Sequence, residues 1–377
     1  MKKLNFLLIL GILISYGCSK GLDENSVRTI AQGEVIGYKE DDTFAWRGIP
    51  FAQPPIDELR WKAPLPPYPF ESRFEAKEFG PECFQPQGIM GGQEGKWSGS
   101  EGAPAWSSEE LTDKKVPVMM WIHGGANIIG SANMYYPVHL VREHEVIVVT
   151  VNYRMSNLGW FRHPALRQEG SSLEDASGSY GTLDNIMALR WIRENISAFG
   201  GDTDNVTIFG ESAGGHNVAA LYASPLARGL FHKAIVQSGV ISHSKIEDAE
   251  SYYPEDGTSG ITSSKEVINQ LLINQEKADD VEGAKELQNS MSLKETEKFL
   301  RSFTPGELLT AYGEANPKRG GMTRVFNDGH VMGKEGISEP FVNNQMPRVP
   351  IILGTNRYET KLFILGKNEL QTLRQDN

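Results

Sequence analysis

Cysteine is scarce, with Cys18 and Cys83 the only two in 377 residues. That excludes the disulfide framework by which small exported domains are held together. Cys83 therefore reads as a buried thiol that behaves as a small hydrophobe. Basic blocks are also lacking, and the formal charge of -11 leaves no electrostatic footprint for nucleic acid, which is excluded as a partner. No His-Glu-x-x-His pattern, cysteine cluster, Gly-x-Gly-x-x-Gly or phosphate-loop lysine motif occurs. Neither a metal nor a nucleotide cofactor is implied, so none is expected. There is no internal repeat and no low-complexity tract. What is present is a 39% hydrophobic content, enough for one large or two medium domains with a substantial core.

The apolar run at 6–14 follows Lys2 and Lys3. It is too short for a membrane span and has the proportions of an export signal. Ser15-Tyr16-Gly17-Cys18 comes next and resembles the bacterial lipoprotein signal, with Ser15 where leucine is usual. The expected organisation is a signal peptide at 1–17, a polar linker at 18–32 that begins at an acylated Cys18, and one domain at 33–377. The expected location is the bacterial cell envelope, anchored to the membrane through Cys18; a soluble exported form and an uncleaved anchor are the alternatives.

Two short strands are expected at 33–38 and 43–49 around an Asp41-Asp42 turn. Seven prolines between Pro50 and Pro69 then impose extended and turn geometry. Residues 85–115 are glycine-rich and aperiodic and read as a long surface loop. Strands are expected at 116–122, 146–151, 206–209, 235–237 and 349–353; the run at 146–151 is apolar but for Thr150, as burial on both faces requires. Leu183, Met187 and Trp191 at four-residue spacing predict a helix over 183–196, and 261–315 reads as helices beside the sheet. Strands separated by helical stretches give a mostly parallel α/β sheet.

The chain is organised around Gly210-Glu211-Ser212-Ala213-Gly214-Gly215-His216, which follows the short apolar run and precedes small residues that begin a helix. This is the nucleophile-elbow pattern, in which a serine hydroxyl stands on a strained strand-to-helix turn. Ser212 is the candidate nucleophile for attack on an acyl carbon. Negative charge on the carbonyl oxygen calls for fixed donors. The candidates are the Ala213 amide, beside the nucleophile, and the Gly125 and Ala126 amides in His123-Gly124-Gly125-Ala126. The acid should lie downstream after a strand; Glu359 and Asp328 both fit. The base is harder to find. No histidine follows His330, His216 points down the helix, His232 and His243 have only nearness in sequence, and His123 reads as structural. Without a base, the serine keeps its proton and turnover should be very slow.

Arg47-Gly48-Ile49-Pro50-Phe51-Ala52, Leu59-Arg60-Trp61, Trp121-Ile122-His123-Gly124-Gly125, Asn152-Tyr153-Arg154, the stretch from Ala198-Phe199-Gly200-Gly201-Asp202 through the elbow, Gln237-Ser238-Gly239 and Gly354-Thr355-Asn356-Arg357-Tyr358-Glu359 together resemble the type B carboxylesterase, or cholinesterase-like, family of α/β-hydrolases. The resemblance implies an α/β-hydrolase fold with a mostly parallel central sheet, incomplete at its C-terminal side. It places the nucleophile on Ser212, the acid on Glu359 ahead of Asp328, the oxyanion donors on Gly125, Ala126 and Ala213, and supporting roles on Glu211 and Ser238. Ala126 stands where the family has a third glycine. The family's histidine lies roughly a hundred residues beyond its acid, so the sequence is read as truncated. Its early strand, Ser-Glu-Asp-Cys-Leu-Tyr-Leu-Asn, has no counterpart at 85–115 and is expected to be missing, with the cysteine that would pair with Cys83. The implied function is hydrolysis of small-molecule carboxylic esters through an acyl-Ser212 intermediate, with activity limited by the missing base. A noncatalytic surface binding module and a nonfunctional fragment are the alternatives.

Overall fold

In the computed structural model, the apolar run that precedes Asn152 is a strand whose five residues, Ile147–Val151, are all buried. It sits inside a sheet rather than at an edge, which is why no polar alternation marks it. The structure describes residues 21–86, 103–108, 115–254, 262–315, 322–343, 345, 347–359 and 361, with the backbone alone at 103–108 and 341. The expected signal peptide and Cys18 lie outside the described residues.

In chain order the strands are β1 (Arg28–Ile30), β2 (Gly33–Ile36), β3 (Tyr38–Glu40), β4 (Thr43–Ile49), β5 (Phe74–Glu75), β6 (Ala103–Ser108), β7 (Val116–Ile122), β8 (Ile147–Val151), β9 (Gly201–Glu211), β10 (Lys233–Gln237) and β11 (Ile351–Gly354). Eight of them form one sheet in the order β11-β10-β9-β7-β8-β6-β4-β3; β1, β2 and β5 form a small second one. From β11 to β8 the neighbours are parallel, and from β8 to β3 they are antiparallel. The expected hairpin is β3–β4, turning at Asp41 with φ 45°. The segment at 33–36 belongs instead to the small sheet.

Two expectations are corrected. Residues 85–115 are not one loop, and the early strand is not missing: β6 lies between β4 and β8, pairing Ala105 with Val149 and Trp106 with Val148. Pro104 hides it in the sequence, because proline removes a ladder donor and argues against an inner strand. The β4–β6 register is irregular between Trp46 and Ile49, opposite Pro104, so the ladder loosens where the proline stands. The second correction concerns the linker, since the chain is folded onto the domain well before residue 33. Ser26 is fully buried, Trp46 Nε1 donates to its carbonyl at 2.8 Å, and the Arg28 guanidinium lies 5.0 Å from the Trp46 ring centre.

The helices are α1 (Val138–His144), α2 (Ser156–Gly159), α3 (Leu173–Ser177), α4 (Tyr180–Asn195), α5 (Ala213–Ala223), α6 (Ile246–Glu250), α7 (Ser264–Asn274), α8 (Val281–Ser290), α9 (Leu293–Arg301), α10 (Pro305–Glu314) and α11 (Glu339–Val342). The predicted 183–196 helix is α4, followed by a 3-10 turn, Ile196–Phe199, that ends where Gly200 takes φ 85°. Every residue of α5 is buried; it lies against β9 and β10 and holds the elbow rigidly from below. No helix of the described residues is long and apolar enough to cross a membrane.

Candidate active site

The site lies at the carboxyl ends of β9, β10 and β11, three adjacent parallel strands, where open α/β sheets bind ligands. Ser212 follows β9 directly and caps α5 with φ 58° and ψ -118°. A serine in that region is strained, and the strain is held by the surroundings. The Ser212 amide donates to Gln237 O at 2.9 Å, and Ser212 O accepts from the His216 amide at 3.0 Å. A Cβ at Gly210 would stand 2.6 Å from Ile122 O, and one at Gly214 would run into the same carbonyl. The tight passage between β7 and α5 explains the glycine on both sides of the serine.

The loop after β7 brings the proposed oxyanion donors to the same place. Gly125 takes φ 107° and its carbonyl accepts from the Ile128 and Ile129 amides at 3.0 Å each; Ala126 and Asn127 both take φ 58°. A Cβ on Gly124 would be 3.3 Å from Ser212 Cβ, which sets the loop directly against the nucleophile. The Ala213 amide opens α5, where a helix leaves its first donors without an intrahelical acceptor. These three amides are the candidate cradle for an oxyanion beside the serine.

Asn127 braces that cradle, and sequence reasoning missed it. Its Nδ2 donates to Thr323 O at 2.8 Å, its Oδ1 accepts from Asn217 Nδ2 at 2.9 Å, and its carbonyl accepts from the Ser156 amide at 2.6 Å. The signal was its place directly after Gly-Gly-Ala. Tyr153 adds a second brace, its hydroxyl 2.7 Å from His123 O and its ring stacked 4.4 Å from the His123 ring. The neighbouring Arg154 is buried against Asp184, with Nε–Oδ2 at 2.8 Å and Nη2–Oδ1 at 2.7 Å. Asn152 Oδ1 accepts from the Ala132 amide at 2.8 Å. All three residues of that motif are thus structural supports.

Glu359 stands after β11, and the strand ladder brings it to the elbow. The Ser238 amide donates to Gly354 O at 2.8 Å, and Asn356 Nδ2 donates to Ser238 Oγ at 3.0 Å. Glu359 Oε1 accepts from the Asn356 amide at 2.6 Å and from Thr355 Oγ1 at 3.0 Å. The Asn356 amide, then the Ser238 and Thr355 hydroxyls, hold its carboxyl below the ordinary range. Glu211, beside the serine, is pushed the other way by burial and then by the nearby charge of Glu359. One carboxylate is kept ionised next to another that resists ionisation. Asp328 is placed elsewhere: its oxygens accept from the Val331 and Met332 amides at 3.1 and 2.9 Å, and Val331 O takes the Ser224 hydroxyl at the far end of α5.

None of the eight histidines of the sequence, all within the described residues, presents a nitrogen to Ser212 in a recorded hydrogen bond. His123 and His216 are buried and held neutral, each with its pKa lowered to about 4 by burial. His216 Nδ1 donates to Val240 O at 2.7 Å. His232 Nδ1 accepts from the Val206 amide at 3.1 Å, and His330 faces Glu174 at 3.0 Å. Cys83 is buried, and its Sγ accepts from the Met155 amide at 3.2 Å. Among the described residues no cluster could hold a metal ion.

The Carboxylesterase family model matches residues 24–377. A para-nitrobenzyl esterase of Bacillus subtilis (strain 168) is 42% identical over 239 residues, 60% of this chain and 46% of that protein. Mouse carboxylesterase 1C is 31% identical over 347 residues, covering 87% and 56% of the two chains. The crystal structure of the Geobacillus stearothermophilus carboxylesterase EST55 at pH 6.2 superimposes with a TM-score of 0.73 at 31% identity, covering 92% of this chain and 64% of that one. The chain spans about half the length of the curated relatives it matches.

Proposed function

The chain belongs to the carboxylesterase family, an α/β-hydrolase lineage, and from that premise we propose that it is a serine ester hydrolase acting on small-molecule carboxylic esters through acyl-Ser212. The observation that carries the reading is the convergence of Ser212, the Gly125, Ala126 and Ala213 amides and Glu359 at the carboxyl ends of adjacent strands. Ser212 Oγ forms a bond to the carbonyl carbon while the three amides receive the developing oxyanion. The bond to the alcohol oxygen then breaks, the alcohol leaves with a proton, and water later releases the acid. Glu359 has the place and the ionised state of the group that orients and charges a base. Ser238 and Glu211 support it, Ser238 by its hydroxyl and Glu211 by lining the turn beside Gly124.

The base is the part that no described histidine supplies. In the 377-residue chain the Ser212 proton therefore passes to solvent, and acylation is slow. Treatment with p-nitrophenyl acetate followed by intact mass is expected to show one acetyl group, located on Ser212 and absent from Ser212→Ala. Added imidazole should raise its rate of formation as a proton acceptor from outside. A folded chain that acquires no acetyl group at Ser212, with or without imidazole, would contradict the proposal. We further propose the cell envelope, with Cys18 acylated, as its location, on the sequence of residues 1–18; metabolic labelling with a fatty acid that is lost in Cys18→Ser tests it, and unlabelled protein counts against it.

A further inference from the structure

The loop that follows β10 lines an open cavity of about 360 Å³ whose lining includes Ile241, Ser242, His243, Lys245, Asp248 and Arg324. Its place next to the elbow is fixed from two sides. On one side Gly239 packs on Gly215, where a Cβ would be 2.7 Å from the Gly215 carbonyl carbon, and Val240 O accepts a hydrogen bond from His216 Nδ1. The segment leading into the cavity-lining loop is therefore packed on the first turn of α5, and one turn covers about 5.4 Å. On the other side Thr323 O is bound by Asn127 of the oxyanion loop, and Val325 O accepts from the Ser244 amide at 2.9 Å. Arg324, between those two residues, is held between the oxyanion loop and the loop that carries His243.

The charges around the cavity are unequal in position. Lys245 and Asp248 are exposed at its rim, where solvent screens them and they offset each other. Arg324 is half-buried: its Nε is buried without a hydrogen-bond partner, as is Ser242 Oγ, and among the described residues no carboxylate forms an ion pair with it. His243 feels Lys245 and Glu335 and is itself half-buried. A guanidinium N–H drawn out of water without an acceptor is costly. Its planar fork of donors matches a carboxylate in two parallel bonds. Neutral polar ligands would leave the charge unmet.

We propose that this cavity is a carboxylate subsite, in which Arg324 and Ser242 Oγ hold a carboxylate borne by the ester whose carbonyl lies at Ser212. The preferred substrates are then carboxylate-bearing esters, such as half-esters of dicarboxylic acids. This rests on Ser212 being the nucleophile. The carboxylate can come from the acyl or the alcohol portion of the ester, and the two are separated by choice of probe.

The test measures acylation of Ser212 by intact mass with two matched pairs. The p-nitrophenyl half-ester of adipic acid is set against p-nitrophenyl hexanoate, and acetylated 4-hydroxybenzoate against phenyl acetate. Each rate is divided by that probe's hydroxide hydrolysis rate. A charge-assisted bond predicts an advantage of about tenfold or more for the charged member of at least one pair. The advantage should shrink toward one in Arg324→Gln and persist in Arg324→Lys, which keeps the charge. Charged and neutral probes reacting equally in both pairs, or an advantage unchanged in a folded Arg324→Gln, overturns the subsite. Failure of every probe, neutral ones included, to acylate Ser212 overturns the hydrolase reading instead.

Discussion

Gly214 shows how little room the nucleophile turn allows. Any Cβ there runs into Ile122 O, and a carbonyl at the end of β7 cannot yield as a flexible side chain would. Gly214→Ala is expected to cost about 1–3 kcal/mol by overpacking, read as a lower urea midpoint, and to displace the Ala213 amide enough to slow acylation; an unchanged midpoint would contradict the packing. Asn127 is the second telling residue, because its amide ties the oxyanion loop to both Asn217 and Thr323. Asn127→Ala leaves those partners unsatisfied in the interior, so stability should fall by about 1–3 kcal/mol for each buried group. Acylation of Ser212 should fall more steeply than stability accounts for. Loss of stability with an unaltered acylation rate in the folded fraction would mean that the loop holds its shape without Asn127. The glycines and the serine were legible in the sequence because the turn tolerates almost nothing else. Asn127 was not, since it acts through partners about 90 to 200 residues away in the chain, which spacing does not reveal.

At the level of elements, the strands with a nearly unbroken apolar character were readable: Ile147–Val151 is buried on both faces and leaves no doubt of its kind. Helix α4 was equally clear, because Leu183, Met187 and Trp191 repeat near the helical period. Strand β6 failed to show itself for a physical reason. It is six residues long, contains Pro104, and depends on neighbours on both sides for its pairing. The same logic gives a prediction with a built-in comparison. Ala105 is paired with Trp46 on one side and Val149 on the other, whereas Pro104 stands at the register irregularity. Ala105→Pro should therefore destabilise by about 1–3 kcal/mol or more, through a lost ladder bond and an unsatisfied carbonyl, while Pro104→Ala should be nearly neutral. Equal urea midpoints for the two variants would argue that β6 is not held inside the sheet.

Across the whole molecule, the sheet order gathers residues that are far apart in the chain: Ser212 after β9, Ser238 after β10 and Glu359 after β11. The same core that fixes this geometry holds His123, His163 and His216 neutral, with burial lowering each to about 4 from an ordinary 6.5. Unfolding lets these rings take up protons below pH 6.5, so the unfolded state binds more protons than the folded one. Stability is fully present above about 6.5 and is lost as the pH falls toward about 4, by up to about 1.4 kcal/mol per pH unit for each ring. Glu359 and Glu174, whose carboxyls are lowered, add their loss only below the ordinary carboxylate range. Glu211 and Asp328, raised by burial, act in the opposite sense. His163→Asn retains an acceptor for the Ala165 amide that His163 Nδ1 now meets at 3.1 Å. It should flatten the slope between pH 6.5 and 4.5 by up to one proton, and an identical slope would show that His163 is not held neutral.

The central claim is that Ser212 is a nucleophile in a prepared oxyanion cradle, and it is tested most directly by a fluorophosphonate that reacts with activated serines. The chain should take up one equivalent, slowly, with the label on the peptide containing Ser212 and none on Ser212→Ala. A folded chain that stays unlabelled, or carries the label on another residue, would contradict the account.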